Sequence, residues 1–380
     1  MIAFQGNMCY DNLVSGGNFM NVHIKTQERN YGIDLLRLVS ALYVLVLHVL
    51  IHGGLYGATT ADTHQNYLCR FLVIFCFPTI DIFGLISGYV GYRDTEKSAS
   101  LSGYLYLWFG VVFYSVAMCA VYMILFPGSA TWTDFLSMFF PLNKNLYWYF
   151  SAYSLVYFLS PLLNKFVSTT PDNTLKKYFF LIFFVVVPLE FANDAFAMAD
   201  GYSAMWLLIL YLMGAIMKKT GLFSRISSIV LILGILAFDF AYFYLGTRYT
   251  YINHFIFNFS LEPSRTHVMP LYLASAIAHV LVFSRMRFHP ILQKVIAFAA
   301  SAAFFIYIVN VQNTFWVHFM MNRFAHWAYS SAAGLLVRTG GFALVFMTAV
   351  VVIDYIRRKL FCLLGVQKWC KKISRLLWFR

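Results

Sequence analysis

Two residues of the first apolar stretch, Arg37 and His48, carry the side chains best suited to chemistry in this chain. An imidazole can take the proton from an attacking hydroxyl near neutral pH and hand it to a leaving group. A guanidinium grips phosphate oxygens in pairs through its planar fork. On an α-helix the step from Arg37 to His48 is about 1,100° of rotation, three turns plus roughly 20°, so both lie on one face with roughly 16 Å of rise between them. Ala41 and Val44 fall between them on that face. A cation at one end and an imidazole three turns away suit a donor with phosphates at one end and a reactive group at the other, the shape of a coenzyme A thioester. The same residues also fit a plainer role, in which Arg37 anchors a membrane interface beside Asp34 while His48 and His52 sit near the opposite headgroups. His48 and His52 have the spacing for zinc, but no third ligand is evident, so no metal is expected.

Such residues need a scaffold, and composition says which. Of 380 residues, 61% are hydrophobic, 19% aromatic and only 11% charged, far more apolar than a water-soluble domain. Uncharged runs recur along the chain, each long enough to cross about 30 Å of hydrocarbon. Segments such as 181–189 and 226–236 lack the period-two alternation of a barrel strand, which leaves an all-α polytopic membrane protein. The expected spans are 31–52, 71–91, 104–126, 146–166, 178–192, 203–217, 226–245, 268–283, 291–319 and 335–356, about ten transmembrane helices. Lys and Arg then concentrate on one side, in Lys25, Arg29 and Arg37, Arg93 and Lys97, Lys165 to Lys177, Lys218 to Arg225, Arg285 to Lys294 and the tail from Arg357. Only scattered residues such as Arg70, Lys144, Arg248, Arg265, Arg323 and Arg338 fall on the other side. Because cytoplasmic loops attract basic residues, both termini are expected in the cytoplasm.

The net charge of +13 is therefore read as orientation in a membrane, with no nucleic-acid patch. The cysteines form no C-x-x-C pair, so neither a metal knuckle nor a disulfide framework is indicated. Three parts are expected: a polar segment over 1–29, whose true start could be Met20; a membrane domain over 30–356; and a basic tail over 357–380 that lies on the anionic inner leaflet. No loop is long enough for a soluble catalytic domain, so any chemistry must use residues in the spans or at their edges. Among the carboxylates at such positions, Asp81 is the one most suited to a functional role, while Glu190, Asp239 and Asp354 suit the bundle interior. His279, His318 and His326 suit hydrogen bonds within the bundle.

Four strings resemble one known family. Segment 30–48, with its Gly-Ile-Asp-x-x-Arg opening and its Arg, ten residues, His spacing, is similar to the first helix of the acyltransferase 3 family. Segment 81–89, DIFGLISGY, resembles that family's Asp, aromatic, Ser-Gly-aromatic stretch. Trp148-Tyr149-Phe150 leading to Ser160-Pro161 resembles its Trp-Tyr and Ser-Pro stretch, and 299–310 resembles its ninth span, so the similarity runs from about Asn30 to Ile356. The resemblance implies an integral membrane O-acyltransferase that moves an acetyl or other short acyl group from cytoplasmic acyl-CoA to a sugar hydroxyl of a cell-surface polysaccharide or a lipid-linked glycan. It implies His48 as the catalytic base, Arg37 as its partner on the coenzyme phosphates, and Ser87, Tyr89 and Arg93 as further donor-side residues. Asp34, Asp81 and Trp148 are candidates to contact substrate. Acetyl-CoA would be a substrate, with no permanently bound cofactor.

One position departs from the pattern. Where many relatives have a histidine after an Ile-Tyr pair, this chain has Asn310, which cannot act as a base and is expected to bind substrate, with Gln312 and Asn313 nearby. The implied location is the bacterial cytoplasmic membrane, and the partners are the lipid bilayer, the glycan acceptor and proteins of glycan assembly. The alternative reading is a multi-span exporter of a glycan intermediate, since buried polar residues in about ten spans also suit alternating access.

Overall fold

A computed structural model describes residues 29–93, 100–248 and 266–377, except the side chains of 246–248. The possible start at Met20, and basic residues such as Lys25, Lys97 and Arg265, lie outside them. The described residues contain helices and no strands. Among the described residues, six apolar stretches are long enough to cross a membrane: Tyr31–His52, His64–Gly91, Leu101–Leu125, Ser228–Leu245, Pro290–Asn310 and Ala332–Leu363. Each coincides with one of the expected spans. The other four expected spans also fall on helices, but these are shorter or less apolar. They are α6 (Trp148–Thr169), the pair α7 (Asp172–Leu181) and α8 (Val187–Asn193), α9 (Ala204–Thr220) and α11 (Pro270–Ser284). The remaining elements follow the same numbering: α1 (Tyr31–Leu47), α2 (His64–Cys76), α3 (Thr79–Gly91), α4 (Leu101–Leu125), the short α5 (Trp132–Ser137), α10 (Ser228–Arg248), α12 (Pro290–Ala300), α13 (Ala303–Asn310), α14 (Ala332–Leu363) and α15 (Val366–Leu377).

The helix that bears Arg37 and His48 is central, and α2, α3, α11, α12, α13 and α14 all pack against it. Its first turn is fixed by Asn30, whose side chain accepts from Ile33 N at 3.0 Å and donates to Ser284 O at 2.7 Å. One residue thus caps α1 and ties it to the end of α11. Thr79 Oγ1 donates to Ser40 O at 2.9 Å, which joins α3 to α1 in a buried contact.

Helix α3 in turn lies close against α9. A Cβ on Gly88 would run into the Tyr211 carbonyl, and one on Gly214 would run into the Leu85 carbonyl. Without a hydrophobic drive between helices in lipid, such small residues let two backbones approach and gain dispersion contacts. Helix α6 also packs on α9, and Lys219 caps its far end by donating to Val167 O, Ser168 O and Thr170 O at 2.7, 2.9 and 2.8 Å.

Of the buried carboxylates, Glu190 and Asp354 are held within the bundle, whereas neither oxygen of Asp239 has a hydrogen-bond partner among the described residues. Glu190 accepts from the backbone N–H groups of Phe196 and Met198, both at 2.7 Å. Asp354 pairs with Arg357 at 2.8 Å and Arg358 at 3.0 Å, and accepts from Tyr114 at 3.1 Å. Cys69, Cys76, Cys119 and Cys370 are free, whereas Cys362 is disulfide-bonded, a bridge that the cysteine spacing did not suggest. The tail helix α15 turns Cys370 toward α4 while Trp369, Leu376 and Leu377 stay exposed among its basic residues.

Candidate active site

The cavity that carries the chemistry-bearing residues encloses about 1010 Å³, including the space at its mouth, and its wall is mostly apolar and aromatic. Helix α1 contributes Arg37, Val44, Leu47 and His48, so the expected shared face of Arg37 and His48 is a cavity wall. Helix α3 adds Thr79, Phe83, Ile86 and Ser87, and α6 adds Trp148, Tyr149 and Tyr153. Tyr202, His267, Phe304 and Tyr307 complete the wall from distant parts of the chain. A wall of this kind, with few polar groups, suits a guest whose middle portion is apolar.

Arg37 is almost fully buried. Its Nη1 donates to Asp34 Oδ1 at 2.6 Å, while its Nη2 has no hydrogen-bond partner among the described residues. Asp34 also receives Arg29 Nε at 2.5 Å, so one carboxylate lies between two guanidiniums. The group of three keeps a net positive charge, and Arg37 brings that charge to the cavity wall. The pairing of Arg37 with Asp34 and its place on the cavity wall therefore coexist.

At His48 the backbone changes period. Residues His48–His52 form a π turn, closed by Gly53 N donating to His48 O at 2.7 Å. Such single-turn widenings occur often at functional sites. The turn is held from outside by Asn322 N on His52 O at 3.0 Å and Phe324 N on Gly53 O at 2.9 Å. The His48 ring meets Trp316 edge-on at 4.9 Å between centroids and His52 at 5.6 Å. His48 Nδ1 is hydrogen-bonded to the Oδ1 atom of Asn310.

Ser87 and Trp148 stand on the wall. The Ser87 hydroxyl donates to Phe83 O at 2.8 Å, and the Trp148 ring meets Tyr202 at 4.9 Å. Five other expected site residues lie off the wall. Asp34 is occupied by its two arginines. Asp81 is fully buried and accepts from Trp206 Nε1 at 2.9 Å, so it joins α3 to α9. Tyr89 faces Lys218, whose Nζ is 4.9 Å from the ring centroid, and Arg93 is an exposed residue just past α3. Asn310, expected to touch substrate, is fully buried behind the imidazole.

His267 went unnoticed in the sequence. It stacks on Phe77 at 4.1 Å and bonds Phe77 O at 3.1 Å and Tyr202 at 3.2 Å, so its ring is fixed on the wall. Tyr153 and Tyr202 went unnoticed too, and Tyr149 and Tyr307, noted only within longer strings, were not read as wall residues, because in so aromatic a chain nothing local separates a cavity-facing ring from a lipid-facing one. His279, by contrast, bonds Ser275 O at 2.8 Å inside α11, and His318 meets Tyr122 at 4.8 Å, which are bundle contacts. No group of three or more metal-ligating side chains occurs among the described residues.

Among known proteins, a family model described as an acyltransferase domain matches residues 30–357. No curated protein and no solved structure matches the chain.

Proposed function

The chain belongs to the acyltransferase 3 family, and from that premise we propose that it is an integral membrane O-acetyltransferase that carries an acetyl group from cytoplasmic acetyl-CoA to a sugar hydroxyl of a surface polysaccharide or lipid-linked glycan. The observation that carries this reading is the single cavity bounded on one helix by both Arg37 and His48. The pantetheine arm lies along the apolar wall past Val44, with the coenzyme phosphates at Arg37 and the thioester at His48. Arg37 offers its Nη2, which has no partner among the described residues, to a phosphate oxygen.

In the transfer, His48 Nε2 takes the proton of the acceptor hydroxyl as its oxygen attacks the thioester carbonyl. The tetrahedral intermediate collapses, the C–S bond breaks, and the thiolate receives that proton from His48. One ester forms, one thioester is lost, and the base is regenerated. Trp148 and Tyr202 offer flat apolar faces on which a sugar ring packs.

The accompanying topology has ten crossings with both termini in the cytoplasm, in a bacterial cytoplasmic membrane. The donor then enters from the side rich in Lys and Arg. Partners are glycan-assembly proteins that present the acceptor. The test is incubation of purified protein in vesicles with labelled acetyl-CoA and host glycan lipids. Label in the glycan supports acetyl transfer; movement of unmodified glycan across the vesicle with no label in it supports the exporter instead.

A further inference from the structure

We propose that Asn310 is a positioning residue that holds the His48 imidazole in the tautomer with its proton on Nδ1, leaving the Nε2 lone pair as the base; this rests on the acyl-transfer reading of the cavity. The geometry points this way. With its amide oxygen on His48 Nδ1, Asn310 can only accept there, which favours the proton on that ring nitrogen, while its Nδ2 has no partner among the described residues. The tautomer of a histidine is set by the bond its other nitrogen makes. Asn310 is fully buried and absent from the cavity wall, whereas His48 is on that wall, so the amide backs the ring and does not compete with substrate.

The ring is also hindered from turning away. Trp316 meets it edge-on at 87° and His52 at 73°. The support for Asn310 is itself rigid, because it is the last residue of α13, and α13 is wedged between α1, α4 and α14. At that wedge Gly110 makes room for Phe305, where a Cβ would stand 2.6 Å from Cζ, and the Arg357 guanidinium covers the Phe305 ring at 4.5 Å. A site carried on a clamped helix keeps its geometry better than one on a loop. An amide is also the economical orienter here. A carboxylate would hold the same proton but would place an ionised group in the bundle, where lipid-buried charge is costly.

The test compares the parent with Asn310→Leu, which removes the acceptor at similar size, and Asn310→Asp, which keeps it. At equal folded yield, Asn310→Leu should lower kcat by about 10- to 100-fold, the usual effect of removing an orienting partner, with KM for acetyl-CoA little changed. Asn310→Asp should restore most of that loss. A second readout needs no acyl donor: the rate at which diethyl pyrocarbonate modifies His48, followed by peptide mass spectrometry. With the tautomer released, the reactive nitrogen turns toward the protein in part of the population, and modification of Asn310→Leu should slow by about fivefold while Asn310→Asp stays near the parent. Unchanged kcat and unchanged modification in Asn310→Leu, or equal damage in both variants, would overturn the proposal. A parent that shows the expected His48 reactivity pattern and no acetyl transfer would instead overturn the acyl-transfer reading alone.

Discussion

Arg37 and His48 line the same cavity from one helix, with Val44 on the wall between them. Under the proposed function this relationship would divide the donor's needs between two side chains roughly 16 Å apart along the axis, one for charge and one for proton transfer. A substitution at Arg37 should therefore change donor binding, and a substitution at His48 should change the chemical step.

Arg37→Lys keeps the charge and loses the planar fork. With Asp34 holding one donor, lysine has less to offer a phosphate, and KM for acetyl-CoA should rise about tenfold with kcat within a factor of a few. Initial rates over a range of donor concentrations measure this. A fall in kcat at unchanged KM would move Arg37 to the chemical step.

Asp34→Ala removes the carboxylate between Arg29 and Arg37. Both members of the Asp34–Arg37 pair are buried, with side chains 5% and 7% exposed. Breaking such a pair from one side leaves a buried charge without its partner, a cost of about 3–5 kcal/mol. Thermal unfolding in detergent should show a clear drop in midpoint, whereas Arg29→Ala, which removes a half-exposed partner, should show much less.

Gly214→Leu should separate α3 from α9. Any side chain there meets the Leu85 carbonyl, and overpacking of this kind costs about 1–3 kcal/mol or more. Since α3 forms one wall of the cavity, folded yield and activity should fall together. Gly234→Leu, at a position with open space beside it, should leave both intact.

Much of this arrangement was legible in the sequence because it is local. The shared face of Arg37 and His48 follows from the period of one helix, and the Asp34–Arg37 pair follows from neighbouring turns. The long apolar runs announce helices because lipid leaves backbone polar groups no other partner. What was not legible depends on contacts across the chain. Asn310 lies 262 residues from His48, and no pattern within its own segment says that its amide meets an imidazole. Asp81 was open to a functional reading until Trp206, brought in by the glycine contacts of α9, occupied one of its oxygens. The π turn at His48 escaped notice because a widened turn is imposed by packing against Trp316 and the loop near Asn322, not by its own residues.

In the proposed reaction His48 performs the proton transfer of acyl transfer. Its most direct test is the rate of label transfer from acetyl-CoA to glycan in reconstituted vesicles, comparing the parent with His48→Ala at equal folded yield. Loss of a positioned general base should slow transfer by about 10²- to 10⁴-fold while donor binding is retained. Equal transfer by the parent and His48→Ala would contradict the account.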